Sequence, residues 1–130
     1  MDPSNISYME PEELVEVIRE SAQKDQSGHV VVDVRDDDFI GGNIFNALNL
    51  PSDTFARSGI ETLEKRASEG TTMFIFHCMM SQQRGPTCAR LFAAQCADKK
   101  ISNIYIYILR GGYNKWKYRY RGQADLIENS

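Results

Sequence analysis

A cysteine and an arginine separated by five residues are the positions in this chain best suited to chemistry. Cys78 ends an apolar run, Arg84 follows the intervening residues, and Gly85-Pro86 opens a segment with helical character. This order predicts a buried strand, a tight loop and a helix N-terminus, where unpaired N–H groups and the helix dipole favour anions. The residues predicted to surround one oxyanion with their backbone N–H groups are Met79, Met80, Ser81, Gln82, Gln83 and Arg84.

The side chains of this loop suggest covalent catalysis. Arg84 offers a planar pair of donors that matches a tetrahedral oxyanion, and the positive field at the helix N-terminus favours the thiolate form of Cys78. A thiolate that faces a bound oxyanion is a nucleophile with its substrate in place. The alternatives are a small buried hydrophobic residue at Cys78 and a helix-capping surface arginine at Arg84. We predict that both residues are catalytic.

Length and composition indicate one soluble globular domain of 130 residues, with 42% hydrophobic and 25% charged residues. No apolar run approaches the ~20 residues that span a bilayer, and the acidic N-terminus lacks the apolar centre of a signal peptide. Three cysteines without a disulfide-like spacing favour a reducing compartment, and the net charge of −3 argues against nucleic-acid binding. We expect a cytoplasmic or nuclear protein that binds neither nucleic acid nor membrane.

Two distant histidines and no paired cysteines make a metal site improbable.

Alternating strand and helix patterns predict an α/β fold. Buried strands are predicted at 30–34, 72–77 and 104–109, and short strands at 6–9 and 47–50. Helices are predicted at 11–23, 58–70, 86–97 and after 112 through 121, with a polar turn at 24–28. This alternation indicates a mostly parallel sheet with helices on both faces and a ligand site beyond the strand ends, where Cys78 lies. The core is expected at about 8–121, followed by a loosely ordered tail at 122–130.

Four stretches resemble, in the right order, one known family. Residues 77–86 resemble the signature loop of the Cdc25-like phosphatases and the related eukaryotic arsenate reductases, which share the rhodanese fold. Residues 32–35 resemble the Asp-x-Arg strand end of that family, residues 41–51 its Gly-His-Ile…Ala-x-Asn-x-Pro stretch, and residues 109–116 its closing Gly-Gly-Trp/Tyr segment. The resemblance covers roughly residues 8–121 and is strongest to the small single-domain members.

The resemblance implies a single rhodanese-like domain and a cysteine-dependent phosphatase of the protein tyrosine or dual-specificity type. Cys78 would form a thiophosphate intermediate without metal or cofactor, and the protein is expected to act as a monomer on phosphoproteins or small aryl phosphates. One alternative is an arsenate reductase that uses the same cysteine with glutathione and glutaredoxin. Another is a phosphoprotein-binding module without turnover. Sulfur transfer ranks last, because sulfurtransferases of this fold are expected to have a shorter loop.

The chain also departs from the family pattern. Asn43 stands where the family usually has a histidine, and Val34 stands where Cdc25 phosphatases carry a second cysteine. Protection of Cys78 by a disulfide at position 34 is therefore excluded. The loop contains no acidic residue, so the general acid is not identified.

Roles outside the loop are predicted as mainly structural. His77 is expected to bind the loop backbone, and Asp33 to form an ion pair with Arg35. The three acidic residues 36–38 are interpreted as a solvated turn rather than as general acids. Ser81 is expected to hydrogen-bond either the Cys78 sulfur or the loop.

Three further predictions concern the helix that follows the loop and the segment that follows the third buried strand. Cys88 and Cys96 share an apolar helix face and are predicted to pack in the core, with Cys88 as a resolving thiol as the alternative. Residues 110–121 mix basic and aromatic side chains, which indicates a helix packed on one side and solvated on the other. The alternative there is a docking patch for an acidic or phosphorylated partner. Arg110 is expected to line the catalytic pocket.

Overall fold

The computed structural model describes residues 6–24 and 28–128, and its central layer is a five-stranded parallel sheet. The strands along the chain are β1 (Ser7–Met9), β2 (His29–Asp33), β3 (Asn43–Ile44), β4 (Leu48–Asn49), β5 (Met73–His77), β6 (Tyr105–Leu109) and β7 (Ile127–Glu128). The sheet has the order β1-β6-β5-β2-β4, and every pairing within it is parallel. β3 and β7 form a separate antiparallel pair.

Helices cover both faces of the sheet, as the alternating pattern predicted. They are α1 (Pro11–Ser21), α2 (Ile60–Ser68), which follows a π-helical turn at Phe55–Gly59, α3 (Arg84–Asp98) and α4 (Gly112–Tyr120). Side chains of a strand alternate between the two faces. Phe74 and Phe76 of β5 therefore pack with α2 and α3, whereas Ile75 packs with α1 and α4. This arrangement confirms the α/β prediction and gives the domain two apolar layers.

Several element boundaries differ from those predicted. α1 ends at Ser21, two residues early, and α3 begins at Arg84 rather than at Pro86. The earlier start of α3 matters, because it places Arg84 in the first turn of the helix, beside the end of β5. Residues 25–27 of the expected polar turn lie outside the described part of the chain, as do residues 1–5.

The C-terminal segment belongs to the fold, so the expectation of a loosely ordered tail is wrong for its described residues. Leu126 is fully buried, Ile127 pairs with Ile44, and the indole N–H of Trp116 donates to the Leu126 carbonyl at 3.0 Å. Two apolar residues are too few to produce a periodicity, which explains why the sequence pattern missed them. Residues 129–130 of the expected tail lie outside the described part.

Leu126→Ala is expected to lower the free energy of unfolding by about 2–4 kcal/mol, because it leaves a cavity against Trp116 in the layer formed by α1 and α4. Denaturant unfolding followed by circular dichroism measures this effect. Ala124→Ser, at an exposed position two residues earlier, should change stability by less than about 0.5 kcal/mol. Equal unfolding midpoints for Leu126→Ala and the unmodified protein would contradict the structural role of this segment.

Candidate active site

The site lies where β5 ends and α3 begins. Cys78 directly follows β5 and is 3% exposed, and the backbone N–H of Gly85 donates to its sulfur at 3.3 Å. The helix approaches this closely because Gly85 has no side chain: a Cβ there would lie 3.3 Å from the Cα of His77. The helix N-terminus thus lies against the sulfur, where its dipole and N–H groups favour negative charge.

A shallow depression of about 180 Å³ opens above Cys78. Its lining consists of Cys78, Met79, Met80, Gln82, Gln83 and Arg84. The loop positions predicted from the sequence therefore surround one concave site, with the exception of Ser81. A depression of this size suits a small group rather than a whole macromolecular ligand.

Ser81 faces inward instead of into the depression. It is 5% exposed, has a φ of 57°, and its hydroxyl has no hydrogen-bond partner among the described residues. The left-handed backbone conformation of this non-glycine residue makes the loop turn tightly at this point. Neither expected hydrogen bond, to the Cys78 sulfur or to the loop, is present.

Arg84 lies at the rim of the depression and is bound by two carboxylates. Its two terminal nitrogens lie 2.8 and 2.6 Å from the oxygens of Asp38, and one of them lies 3.2 Å from Asp36. The hydrogen bonds that Arg84 donates to Asp38 lower the pKa of Asp38 to about 2 and raise the pKa of Arg84. The interpretation of residues 36–38 as a solvated turn is therefore wrong for Asp36 and Asp38, and only Asp37 is exposed.

Asp36 is in turn fixed by the segment after β4. The Ser52 hydroxyl donates to it at 2.6 Å and the Asp53 N–H at 3.1 Å. Partial burial acts to raise the pKa of Asp36, but these hydrogen bonds and those from Arg84 lower it below its usual value. Asp36 and Asp38 are thus ionised partners of Arg84 at neutral pH.

A signal for these carboxylates was present in the sequence. β2 and β5 are neighbouring parallel strands, with Asp33 aligned to His77. Residues that follow the two strands therefore reach the same edge of the sheet, which brings Asp36 to the residues that follow Cys78. Strand order is needed to use this signal, and the local pattern does not supply it.

A buried polar cluster supports the loop from below. Arg35 binds Asp33 at 2.8 Å, as predicted, and both side chains are fully buried. The His77 Nδ1–H donates to the Cys78 carbonyl at 3.0 Å, as expected for a residue that binds the loop backbone. Its Nε2 lies 3.7 Å from Asp33, and burial lowers the pKa of His77. His77 therefore holds the loop and does not face the depression.

The N-terminus of α4 closes the loop from the side. The backbone N–H groups of Tyr113 and Asn114 donate to the carbonyls of Cys78 and Met79 at 3.0 and 2.9 Å. Gly112 permits this approach, since a Cβ there would lie 2.5 Å from the Met79 oxygen. Arg110 instead binds Glu10 at 2.7 Å and is not among the described residues that line the depression, so its predicted place in the pocket is wrong.

The other two cysteines are core residues. Cys88 is 2% exposed and Cys96 is fully buried, which confirms the packing prediction. Burial raises the pKa of Cys88 to about 12 and that of Cys96 to about 11. Both thiols are protonated at neutral pH, which disfavours Cys88 as a resolving thiol.

Within the described ranges, no group of three His, Cys, Asp or Glu side chains is arranged to hold a metal ion. Among the same residues, no helix is both long and apolar enough to cross a bilayer.

The fold and this loop define a class of protein. Residues 11–119 match the rhodanese-like domain, and the chain belongs to the rhodanese-like family. Within that family its relatives are Cdc25-like phosphatases and arsenate reductases. The dual specificity phosphatase ibp1 of Schizosaccharomyces pombe is 34% identical over 96% of this chain and 98% of its own length. Arsenate reductase 2.2 of Oryza sativa is 30% identical over 86% of this chain and 82% of its own.

Solved structures show the same two groups. The yeast protein Ygr203w, described as a protein tyrosine phosphatase of the rhodanese family, superposes with a TM-score of 0.82 at 29% identity, covering 95% of this chain and 92% of its own. The As-Sb reductase of Leishmania major superposes with a TM-score of 0.76 at 30% identity, covering 96% and 86%. These likenesses confirm the resemblance to small Cdc25-like enzymes.

Proposed function

We propose that this protein is a cysteine-dependent phosphatase of the protein tyrosine or dual-specificity type. The observation that carries the proposal is the position of the Cys78 sulfur, which accepts the N–H of Gly85 at 3.3 Å beneath a depression rimmed by Arg84. This geometry supports attack by sulfur on a tetrahedral oxyanion held by helix N–H groups. The S. pombe relative is named a dual specificity phosphatase and the yeast protein a protein tyrosine phosphatase, which supports the same reaction class.

The proposed reaction has two displacement steps. The Cys78 thiolate attacks phosphorus in line, a sulfur–phosphorus bond forms as the phosphorus–oxygen ester bond breaks, and the leaving oxygen takes a proton from water. Arg84 and the loop N–H groups stabilise the equatorial oxygens during this step. Water then attacks phosphorus, which breaks the sulfur–phosphorus bond and releases inorganic phosphate. These steps use only groups of the chain and water.

Arsenate reduction is the second candidate, favoured by the likeness to the rice and Leishmania reductases. Cys78 would attack arsenate, with loss of water, to form a sulfur–arsenic bond. Since Cys88 and Cys96 are buried and protonated, external thiols would have to supply the two electrons. Glutathione and glutaredoxin would release arsenite and be oxidised to a disulfide.

Parallel assays of the reduced protein separate the candidates. A phosphatase releases nitrophenol from p-nitrophenyl phosphate, whereas a reductase oxidises NADPH when arsenate, glutathione, glutathione reductase and glutaredoxin are supplied together. We expect nitrophenol release and no arsenate-dependent oxidation of NADPH. Arsenate-dependent oxidation without nitrophenol release would overturn the proposal in favour of the reductase. Stable binding of a phosphopeptide without release of phosphate would favour a binding module instead.

A further inference from the structure

The catalytic depression is too small to choose among phosphorylated substrates. The six described residues that line it all come from the loop that ends at Arg84, and its volume of about 180 Å³ accommodates little beyond the phosphoryl group and the start of its ester. Affinity and specificity for a larger substrate must therefore come from surface next to the depression. This step rests on the proposed phosphatase function.

A larger recess of about 470 Å³ adjoins the loop along α4. Asn114 lines this recess, Met79 lines the catalytic depression, and the Asn114 N–H donates to the Met79 carbonyl at 2.9 Å. A backbone hydrogen bond therefore links a residue that lines the recess to a residue that lines the depression. Gly41 and Ile127 form the opposite wall of the recess.

The recess follows one face of α4. Lys117 and Tyr118, three and four positions after Asn114, share its helix face, and Arg121, which directly follows the last residue of α4, lines the recess as well. The face is about 10 Å long at 1.5 Å per residue. It therefore extends away from the catalytic loop over the length of about three extended peptide residues.

The charges of this face are available for a ligand. In the described part of the chain, Lys117 and Arg121 make no ion pair, and no acidic residue lines the recess. The other arginines of the basic segment are already paired, since Arg110 binds Glu10 and Arg119 binds Glu12 on the α1 side. The Arg121 guanidinium lies 5.1 Å from the Tyr118 ring centroid, and this cation–π contact holds it at the recess.

We propose that this recess binds an acidic segment of a phosphoprotein substrate, next to the phosphorylated residue bound above Cys78. Two cations with an aromatic side chain between them complement Asp and Glu side chains. The distance along α4 places those side chains within about two to five residues of the phosphorylated one. The protein thus prefers phosphorylation sites with acidic neighbours.

Two phosphotyrosine peptides test the proposal, one with Glu at the second to fourth positions on both sides and one with Gln there. Wild-type protein is expected to have the higher kcat/KM for the Glu peptide, and the preference should shrink as salt is added. Lys117→Glu/Arg121→Glu is expected to lower kcat/KM for the Glu peptide about tenfold. Its rates with the Gln peptide and with p-nitrophenyl phosphate should stay unchanged.

A matched control makes the same change of net charge far from the recess. Lys24 lies beside the starts of β2 and β5, and Lys65 lies in the last turn of α2, which leads into β5. Both are exposed at the end of the sheet away from Cys78, so Lys24→Glu/Lys65→Glu should keep the preference. Equal losses in the two double variants, or equal losses on all three substrates, would overturn the proposal.

Binding to the Cys78→Ser protein separates this inference from the proposed function. Fluorescence anisotropy with the labelled peptides needs no turnover, and we expect tighter binding of the Glu peptide that Lys117→Glu/Arg121→Glu abolishes. Turnover of both peptides without a preference would overturn the docking site and leave the phosphatase standing. If wild-type protein bound the Glu peptide selectively without turning it over, the phosphatase proposal would be overturned and the docking site would stand. A single-stranded oligonucleotide that binds the recess as tightly as the Glu peptide would also overturn the proposal.

Discussion

Cys78→Ser is expected to release nitrophenol from p-nitrophenyl phosphate at least about 10⁴-fold more slowly than the wild-type protein. Among the described residues that line the depression, Cys78 alone carries a group suited to attack phosphorus, and a serine hydroxyl there is a far weaker nucleophile. The fold should persist, because serine has a similar size and can accept the same Gly85 N–H. Initial rates with reductant present, together with thermal unfolding, measure both effects.

Cys88→Ser is the control for this variant. Cys88 is buried on the sheet-facing side of α3 and has no place in the proposed steps, so its replacement should keep the rate within about twofold at the cost of about 1 kcal/mol of stability. Full activity of the Cys78→Ser protein would contradict the assignment of the nucleophile. Loss of activity in a folded Cys88→Ser protein would instead support Cys88 as a second thiol that takes part in the reaction.

The parts of the molecule that were predictable from sequence are those specified by nearby residues. β2 and β5 are largely apolar runs buried on both faces, and β6 is a run of aromatic and aliphatic residues that begins at the exposed Tyr105. Such runs need no partner to be recognised. The position of Cys78 against α3 also follows from local order, since a strand, a short loop and Gly85 occur in succession. The fold class and the position of the Cys78 loop could therefore both be predicted.

Pairings between distant segments could not be predicted. Asp38 meets Arg84 across 46 positions of the chain, and β3 meets β7 across more than 80. An acidic triplet after a strand has the same local appearance whether it is solvated or bound to an arginine. The difference depends on strand order, which places the ends of β2 and β5 side by side. The ion pairs of Arg84 can therefore be recognised only in the folded structure.

Arg84→Lys is expected to lower kcat/KM for p-nitrophenyl phosphate about 100-fold. An ammonium group keeps the charge but lacks the planar pair of donors that fits two oxygens of a phosphoryl group, so the loss reflects geometry. The effect should fall mainly on kcat if the arginine binds the transition state more strongly than the substrate. Steady-state kinetics across a range of substrate concentrations separates the two constants, and an unchanged kcat/KM would remove Arg84 from the proposed mechanism.

Asp38→Asn is expected to strengthen anion binding, whereas Arg84→Lys is expected to weaken the interaction with a phosphoryl group. Asp38 occupies both terminal nitrogens of Arg84 and adds a negative charge beside the depression, so its neutralisation frees donors and removes repulsion at once. Competitive inhibition by inorganic phosphate should tighten about fivefold, whereas Asn at the exposed neighbour Asp37 should change little. Since the pKa of Asp38 is about 2, acidification to about pH 4 would not relieve the competition. Weaker inhibition in Asp38→Asn would instead mean that this carboxylate holds the guanidinium in the orientation that binds the oxyanion.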